Sequence, residues 1–268
     1  MTQHLRLSRL AFAATLLTAT AANSVKADPT IIPRGDWGAR DARVPVDDKG
    51  RPIREVKSKT HPIVVEKRLV PRKAAVYLTV HHSEIEVGEE QLSAEPKNAL
   101  HKFQESMQDG YQIDIEDKRG KKIGYKTIYM IDVPYHYIIS PHGVILEGRD
   151  LKFAARSNTE YDMPISQHIT VRVDGDFRKQ QPREKQVIAL TELLYTLAKK
   201  HNISVNNIVY HSMVADSDCP GKHMIERIPA IRSELSSRGI AGDPAGKCDG
   251  CNADRIKKLK KELGRENI

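Results

Sequence analysis

The feature that most constrains the fold is an alternation of short apolar segments of strand character with helical segments. The clearest helix is predicted over 183–200, where leucines recur at helical spacing after Pro182, and a second is predicted over 95–109. Strands are predicted over 76–82, 134–140, 143–147, 168–174 and 208–211. Strands that alternate with helices form an α/β domain, here predicted to have a mixed central sheet flanked by helices.

The first 27 residues have the pattern of a secretory signal. Arg6 and Arg9 precede an apolar run over 10–22, and small residues follow it. The run is about 13 residues long, shorter than the roughly 20 that span a bilayer, so no transmembrane segment is predicted. Without this segment, 40 Lys and Arg remain against 35 Asp and Glu. This mildly basic balance is typical of a solvated surface or, alternatively, of attraction to an anionic polymer or envelope. We expect a periplasmic or secreted protein with no nucleic-acid partner.

The chain divides into four predicted regions. A signal peptide (1–27) precedes an N-terminal arm (28–75) that packs on the domain, the domain itself covers 76–238, and a linker with a short charged helix covers 239–268. Cys248 and Cys251 form a lone CxxC pattern in that last region. A second zinc site would need two more ligands nearby, so a local disulfide is the preferred interpretation in an exported protein. The sequence does not indicate an oligomeric state.

Two histidines and one cysteine carry the chemistry that the sequence suggests first. His81 and His211 each end a predicted strand, and Cys219 follows His211 by eight positions. Two imidazoles and one thiolate match a catalytic zinc site, in which the fourth position stays open to water. Such a ligand set leaves the metal with a net positive charge that acidifies water. Taken singly, each residue also has an ordinary explanation, because a strand histidine often packs in a core and a lone cysteine is often a small buried hydrophobe.

The neighbouring residues turn these single signals into a family pattern. The motifs are IPRGDWGA (32–39), VHHS (80–83), DVPYHYII (132–139), GVILEGR (143–149), the passage 168–177 and HSMVADSDCPG (211–221). Together they resemble the zinc-dependent N-acetylmuramoyl-L-alanine amidases, the group that includes peptidoglycan recognition proteins and phage amidases. The resemblance covers residues 31–238.

The resemblance implies a role for each matching residue. It implies that His81, His211 and Cys219 bind Zn²⁺, and that Tyr135 is the catalytic tyrosine beside the metal. A phenol there can donate a hydrogen bond to the oxyanion that forms when water attacks an amide. The implied activity is hydrolysis of the amide between N-acetylmuramic acid and L-alanine, with peptidoglycan or muropeptides as the partner.

The sequence departs from the family pattern in three places. Ser217 stands where many relatives carry Lys or Thr, and we expect its hydroxyl to assist catalysis without supplying charge. Arg156 lies where relatives often have a histidine, and it is predicted to contact substrate instead. The 54 positions between His81 and Tyr135 exceed the family spacing. The excess is assigned to 108–129, a predicted hairpin around 118–121 that either walls the groove or is a solvated insertion.

Other functions remain open at this point. A non-catalytic module that recognises peptidoglycan would share the fold, but non-hydrolysing relatives typically lose the cysteine that this chain keeps as Cys219. An antibacterial or host-directed secreted amidase would use the same chemistry on another target. The preference between lysine and diaminopimelate stems is also open.

Overall fold

The computed structural model describes residues 28–117, 119–156 and 163–251. The predicted signal segment 1–27 and the charged helix predicted near 253–263 lie outside the described residues. Within the ranges that the structure describes, no helix combines the length and the apolar character needed to span a bilayer.

Nine strands and six α-helices occur in these ranges. The strands are β1 (Ile31–Ile32), β2 (Ile63–Val65), β3 (Tyr77–His82), β4 (Tyr111–Glu116), β5 (Lys122–Tyr129), β6 (Tyr137–Ile139), β7 (Ile145–Glu147), β8 (His168–Val173) and β9 (Ile208–Tyr210). The helices are α1 (Glu89–Ser93), α2 (Pro96–Asp109), α3 (Glu184–His201), α4 (His211–Val214), α5 (Lys222–Ile225) and α6 (Ile228–Ser237).

The central sheet has six strands in the order β1-β7-β6-β8-β3-β9. Strands β6 and β7 pair antiparallel, and the other neighbours pair in parallel. The expectation of an α/β fold with a mixed central sheet is therefore confirmed. Strands β3 and β8 lie in the middle and all their residues are buried, as expected for parallel strands covered on both faces.

Helices cover the two faces of this sheet unequally. On one face, α3 and α6 bury a large apolar cluster that includes Leu190, Leu194 and Leu235. Helix α3 begins where the backbone N–H of Arg183 donates to the Gln186 side chain, and ends at Asn202 in the left-handed region (φ 53°). On the other face, a smaller cluster is built by residues of α2, Trp37 and β6. This thinner face leaves room for a cleft.

A second, three-stranded sheet has the order β2-β5-β4. Strands β4 and β5 form an antiparallel hairpin, so the hairpin predicted within 108–129 is confirmed. Strand β2 pairs in parallel with Thr127–Tyr129 of β5. The segment predicted as an arm thus supplies β2 to this sheet and β1 to the edge of the central sheet. Both strands are too short for a readable period, which is why periodicity does not predict them.

The chain after the second sheet differs from expectation in detail. Strand β9 ends at Tyr210, and His211, expected to end the strand, instead begins the helical turn α4. Helix α6 covers 228–237, where no element was predicted. Cys248 and Cys251 form a disulfide, which confirms the interpretation of the CxxC pattern.

Candidate metal centre

The predicted zinc ligands meet at the carboxyl edge of the central sheet. His81 lies near the end of β3, and His211 comes directly after β9. These strands are parallel neighbours, so their carboxyl ends lie at the same edge. The imidazole centroids are 4.4 Å apart, and Cys219 Sγ lies 3.7 Å from His81 Nδ1. The three ligand atoms all lie within 4.8 Å of one another and the three residues are buried.

A tight loop presents Cys219 to the two histidines. The backbone N–H of Cys219 donates to Ser217 Oγ (3.1 Å), and its carbonyl accepts the N–H of Ser212 (2.7 Å). Gly221 follows with φ +85°, and a Cβ there would lie 2.4 Å from backbone atoms of Phe177 and Arg178. A residue without a side chain is therefore required for the loop to pack this closely.

The donor set fits a zinc ion. Tetrahedral zinc with ordinary Zn–S and Zn–N bond lengths separates sulfur from nitrogen by about 3.5 Å, close to the distance between Cys219 Sγ and His81 Nδ1. The backbone N–H of His82 donates to the same sulfur (3.3 Å), a contact that favours a thiolate. These three residues would hold the ion and would leave a fourth position open to water, as in catalytic zinc sites.

Burial determines the protonation of these groups. It lowers the pKa of His81 well below its usual value, with the neighbouring His211 as the second cause, and lowers the pKa of His211 to about 4. Both imidazoles are therefore neutral near pH 7, the form that binds a metal. Burial raises the pKa of the Cys219 thiol, and only a cation in contact with the sulfur would hold it as a thiolate.

Tyr135 lies beside the cluster. Its ring centroid is 5.1 Å from that of His81, on the loop that leads into β6. Burial raises the pKa of the phenol above its usual value, so the hydroxyl keeps its proton and is a donor. The Tyr135 hydroxyl is therefore suited to donate a hydrogen bond to an anionic group bound beside the three candidate ligands.

The other two predicted site residues lie differently. Ser217 is half-buried, and its Oγ accepts the backbone N–H of Cys219, the candidate ligand two residues later. Arg156 is exposed, and its side chain lines a small hollow with Glu66 and Lys126 of the second sheet. The structure does not bring the Arg156 side chain to the three ligands.

A second group of possible ligands adjoins the first. His82, Glu84 and Asp218 also offer ligand atoms within 4.8 Å of one another. However, His82 Nδ1 accepts the N–H of Phe177 (3.3 Å), which in a neutral imidazole leaves the proton on Nε2. Arg178 also pairs with both Glu84 and Asp218, so a cation is already present. We interpret this group as an ion-pair network that supports the Cys219 loop.

A cleft of about 420 Å³ lies on the face covered by α2; Ser83 and Arg172 are among its lining residues, and the three candidate ligands are not. Its floor contains Arg172 of β8, which sequence reasoning did not single out. Arg172 and His81 are register partners on adjacent parallel strands, so both side chains leave the same face of the sheet. The available signal was a charged residue inside the otherwise buried strand HITVRV. Its placement beside the cluster follows only from strand pairing.

Fold and site together define an α/β domain with a candidate His-His-Cys metal centre. The model of the N-acetylmuramoyl-L-alanine amidase family matches residues 71–222, which is more than half of the chain. The chain therefore belongs to this family. No curated protein matches it in sequence.

Solved structures of peptidoglycan recognition proteins are similar to this one. Drosophila PGRP-SD shares 14% identity with a TM-score of 0.48, covering 74% of this chain and 94% of its own. Drosophila PGRP-LB shares 19% identity with a TM-score of 0.47, covering 80% and 96%. PGRP-Hd from Alvinella pompejana shares 16% identity with a TM-score of 0.46, covering 75% and 94%.

Proposed function

We propose that this chain is a zinc-dependent hydrolase of the amide between N-acetylmuramic acid and L-alanine in peptidoglycan. The observation that carries the proposal is the convergence of His81, His211 and Cys219 at one edge of the sheet, with Tyr135 beside them. Family membership supports the choice of bond. Retention of all three ligand types supports hydrolysis over recognition without cleavage.

The three residues would hold the metal, and the chain supplies the rest of the site. Bound zinc supplies a Lewis acid that polarises the amide carbonyl and lowers the pKa of water. The Tyr135 hydroxyl donates a hydrogen bond to the oxyanion that develops on that carbonyl. Ser217 accepts the N–H of Cys219 and retains its own O–H as a second donor. Substrate binding by Arg156 stays a prediction, with its side chain on the side of Lys126.

The direct test measures cleavage and metal together. Purified sacculi are incubated with the protein, and the released fragments are identified by mass spectrometry with and without a chelator. We expect free stem peptides that begin with L-alanine, and their loss on chelation. If the stems bind but are not released, the protein is a recognition module instead.

Cys219→Ser tests the ligand set. We expect about one zinc per chain in the wild type and loss of most zinc and activity in the variant, because serine is a poor zinc ligand at neutral pH. The double variant C248S/C251S removes the two remaining cysteines away from the site and is the matched control. Full activity in a metal-free preparation would contradict the assignment.

We also propose a periplasmic or secreted location. The support is the charged, apolar and small-residue pattern over 1–27. Amino-terminal sequencing of the protein recovered from the periplasm or medium should begin after Ala21 or Ala27. An intact terminus on a protein retained in the cytoplasm would contradict this location.

A further inference from the structure

We propose that Arg172 is a specificity-determining residue that binds the carboxylate of the second stem-peptide residue, the one that follows the L-alanine. The inference rests on the proposed function and deepens it. It starts from a buried cation whose hydrogen-bonding capacity is only partly used, at the floor of a cleft on the same face of the sheet as the candidate ligand His81.

The guanidinium is held firmly from one side. Nε and Nη2 of Arg172 both lie on the same oxygen of Asp174, at 2.8 and 2.6 Å. The central carbon lies 4.1 Å from the centre of the Phe103 ring and 5.8 Å from that of Tyr135. Two aromatic neighbours and an ion pair fix where the group lies, so little entropy is lost when it binds a ligand.

The other side of the guanidinium has donors to spare. Arginine has five N–H donors, and Asp174 takes two of them. Within the described part of the chain, Nη1 of Arg172 makes no hydrogen bond. The residue is only 8% exposed, and it lines the cleft. No nitrogen of Arg172 is among the buried side-chain atoms that lack a partner in the described residues, so the unused donors are open to the cleft. A ligand carboxylate matches such a guanidinium fork best.

Among the described residues, two cations line the cleft: Arg172 is buried, whereas Lys102 is exposed and is screened by solvent. Asp174 lines the cleft with Arg172 and already accepts from it. Glu90 and Glu95 also line it, but both are exposed at the rim, where solvent screens them. A ligand carboxylate that reaches the floor therefore meets Arg172 in a less polar setting, where its attraction is stronger.

The distance between Arg172 and the candidate ligand His81 indicates which carboxylate of the stem peptide would bind. Arg172 is the register partner of His81, and adjacent strands lie about 4.8 Å apart. An extended peptide advances about 3.5 Å per residue, so the second stem residue lies roughly 7 Å from the scissile amide. Its free carboxyl group is the first acid along the stem and lies within reach of a long side chain next to a metal ligand.

The test uses two N-acetylmuramoyl tripeptides that are both linked through the γ-carboxyl of the second residue, L-Ala-γ-D-Glu-L-Lys and L-Ala-D-isoGln-L-Lys. They differ only in whether the α-carboxyl of that residue is free or amidated. For the wild type we expect kcat/KM to be higher for the free acid, on the order of 10- to 100-fold, as the loss of one charge-assisted hydrogen bond implies. Arg172→Gln should abolish the preference by lowering the rate on the acid alone. Arg172→Lys keeps the charge without the fork and should restore part of it.

Controls separate this role from others. Zinc content and melting temperature establish that the Arg172 variants are folded, and Arg54→Gln removes an exposed arginine far from the cleft. Equal loss on both substrates in Arg172→Gln would mean that Arg172 acts through Tyr135, which overturns the inference. A wild type without preference also overturns it.

Failure of the proposed function would be visible separately. If the wild type hydrolyses neither the tripeptides nor sacculi, hydrolysis is wrong, and calorimetric affinities of the same two compounds decide the role of Arg172. Tighter binding of the free acid that disappears in Arg172→Gln supports the carboxylate site. Equal affinities, or no binding of either compound to the wild type, overturn it.

Discussion

At the scale of single residues, Tyr135 is the side chain whose hydroxyl the mechanism uses most directly. Tyr135→Phe should lower turnover on the order of 10²–10³-fold, because one oxyanion donor is lost, while zinc stays bound. Steady-state kinetics and metal analysis measure the two effects. Tyr137→Phe, in the core cluster on the other face, is the matched control. Loss of zinc in the Tyr135 variant, or unchanged turnover, would assign the tyrosine another role.

A second residue-scale feature is the buried ion pair between Glu66 and Arg149. Both Nη atoms of Arg149 contact the carboxylate, at 2.7 and 2.9 Å, and its remaining donors go to backbone carbonyls. The carboxylate also accepts the N–H of Ile131 (2.9 Å). The pair joins the segment after β2 to the turn that follows β7.

Breaking this ion pair should lower the stability of the protein strongly. Glu66→Ala leaves a guanidinium that is 1% exposed without its counter-ion, and we expect the free energy of unfolding to fall by about 3–5 kcal/mol. Denaturant titration measures it. Glu55→Ala breaks an exposed pair with Lys67 and should have little effect. Equal losses of unfolding free energy in the two variants would show that the buried pair contributes no more to stability than the exposed pair.

At the scale of elements, the hairpin of β4 and β5 is separate from the cleft. The residues that line the cleft come from the loop after β3, from α1 and α2, and from β6 to β8, and none comes from the described residues of the hairpin. Strand β2 pairs with Thr127–Tyr129 at the base of the hairpin, and Thr60 before it accepts the N–H of Tyr125, so both contacts lie away from the tip. The structure therefore favours the solvated-insertion alternative for the tip.

Replacing 112–126 with a short Gly/Ser turn tests this interpretation. We expect unchanged zinc content and an unchanged preference between lysine and diaminopimelate muropeptides, because the cleft keeps its lining. Rates are compared per zinc-loaded chain, so that a loss of stability does not enter. A changed preference would mean that the hairpin contacts the stem outside the cleft.

At the scale of the whole molecule, buried histidines couple stability to pH. The His136 ring is held between two backbone groups: Nδ1 accepts the N–H of Thr170 (3.0 Å) and Nε2 donates to the carbonyl of Phe153 (2.9 Å). Burial lowers its pKa from 6.5 to about 4. The unfolded chain therefore takes up this proton at a higher pH than the folded protein does.

The stability that His136 contributes is complete above pH 6.5 and is lost as the pH falls toward 4. We expect this residue to account for a fall of about 3 kcal/mol in the free energy of unfolding across that range. The difference between wild type and His136→Gln isolates it, because metal release at low pH affects both proteins. The exposed His61→Gln is the control. A difference independent of pH would contradict the assignment.

Much of the fold and part of the candidate site could be predicted from the sequence, because they depend on local patterns. Helix α3 and strand β3 repeat apolar residues at their own periods, and each lies within a residue or two of its predicted range. His211 and Cys219 lie on a single short stretch of chain, so their spacing is a local pattern. Together with the motif around His81, it predicts the three ligand groups that the structure brings together. Strand β1, with two residues, offers no comparable pattern. Helix α6 does carry Ile228, Ile231 and Leu235 at helical spacing, a signal that was not used in the prediction.

The sequence by itself therefore determined the long elements, the mixed α/β class and the chemical types in the ligand set. Only the tertiary structure decided which strands are neighbours, and with that the position of Arg172 beside His81. It also decided the pairing of Arg149 with Glu66, which is 83 positions away along the chain. The reason is physical: periodicity records which side of an element faces the core, whereas contacts between distant segments depend on how those faces pack together.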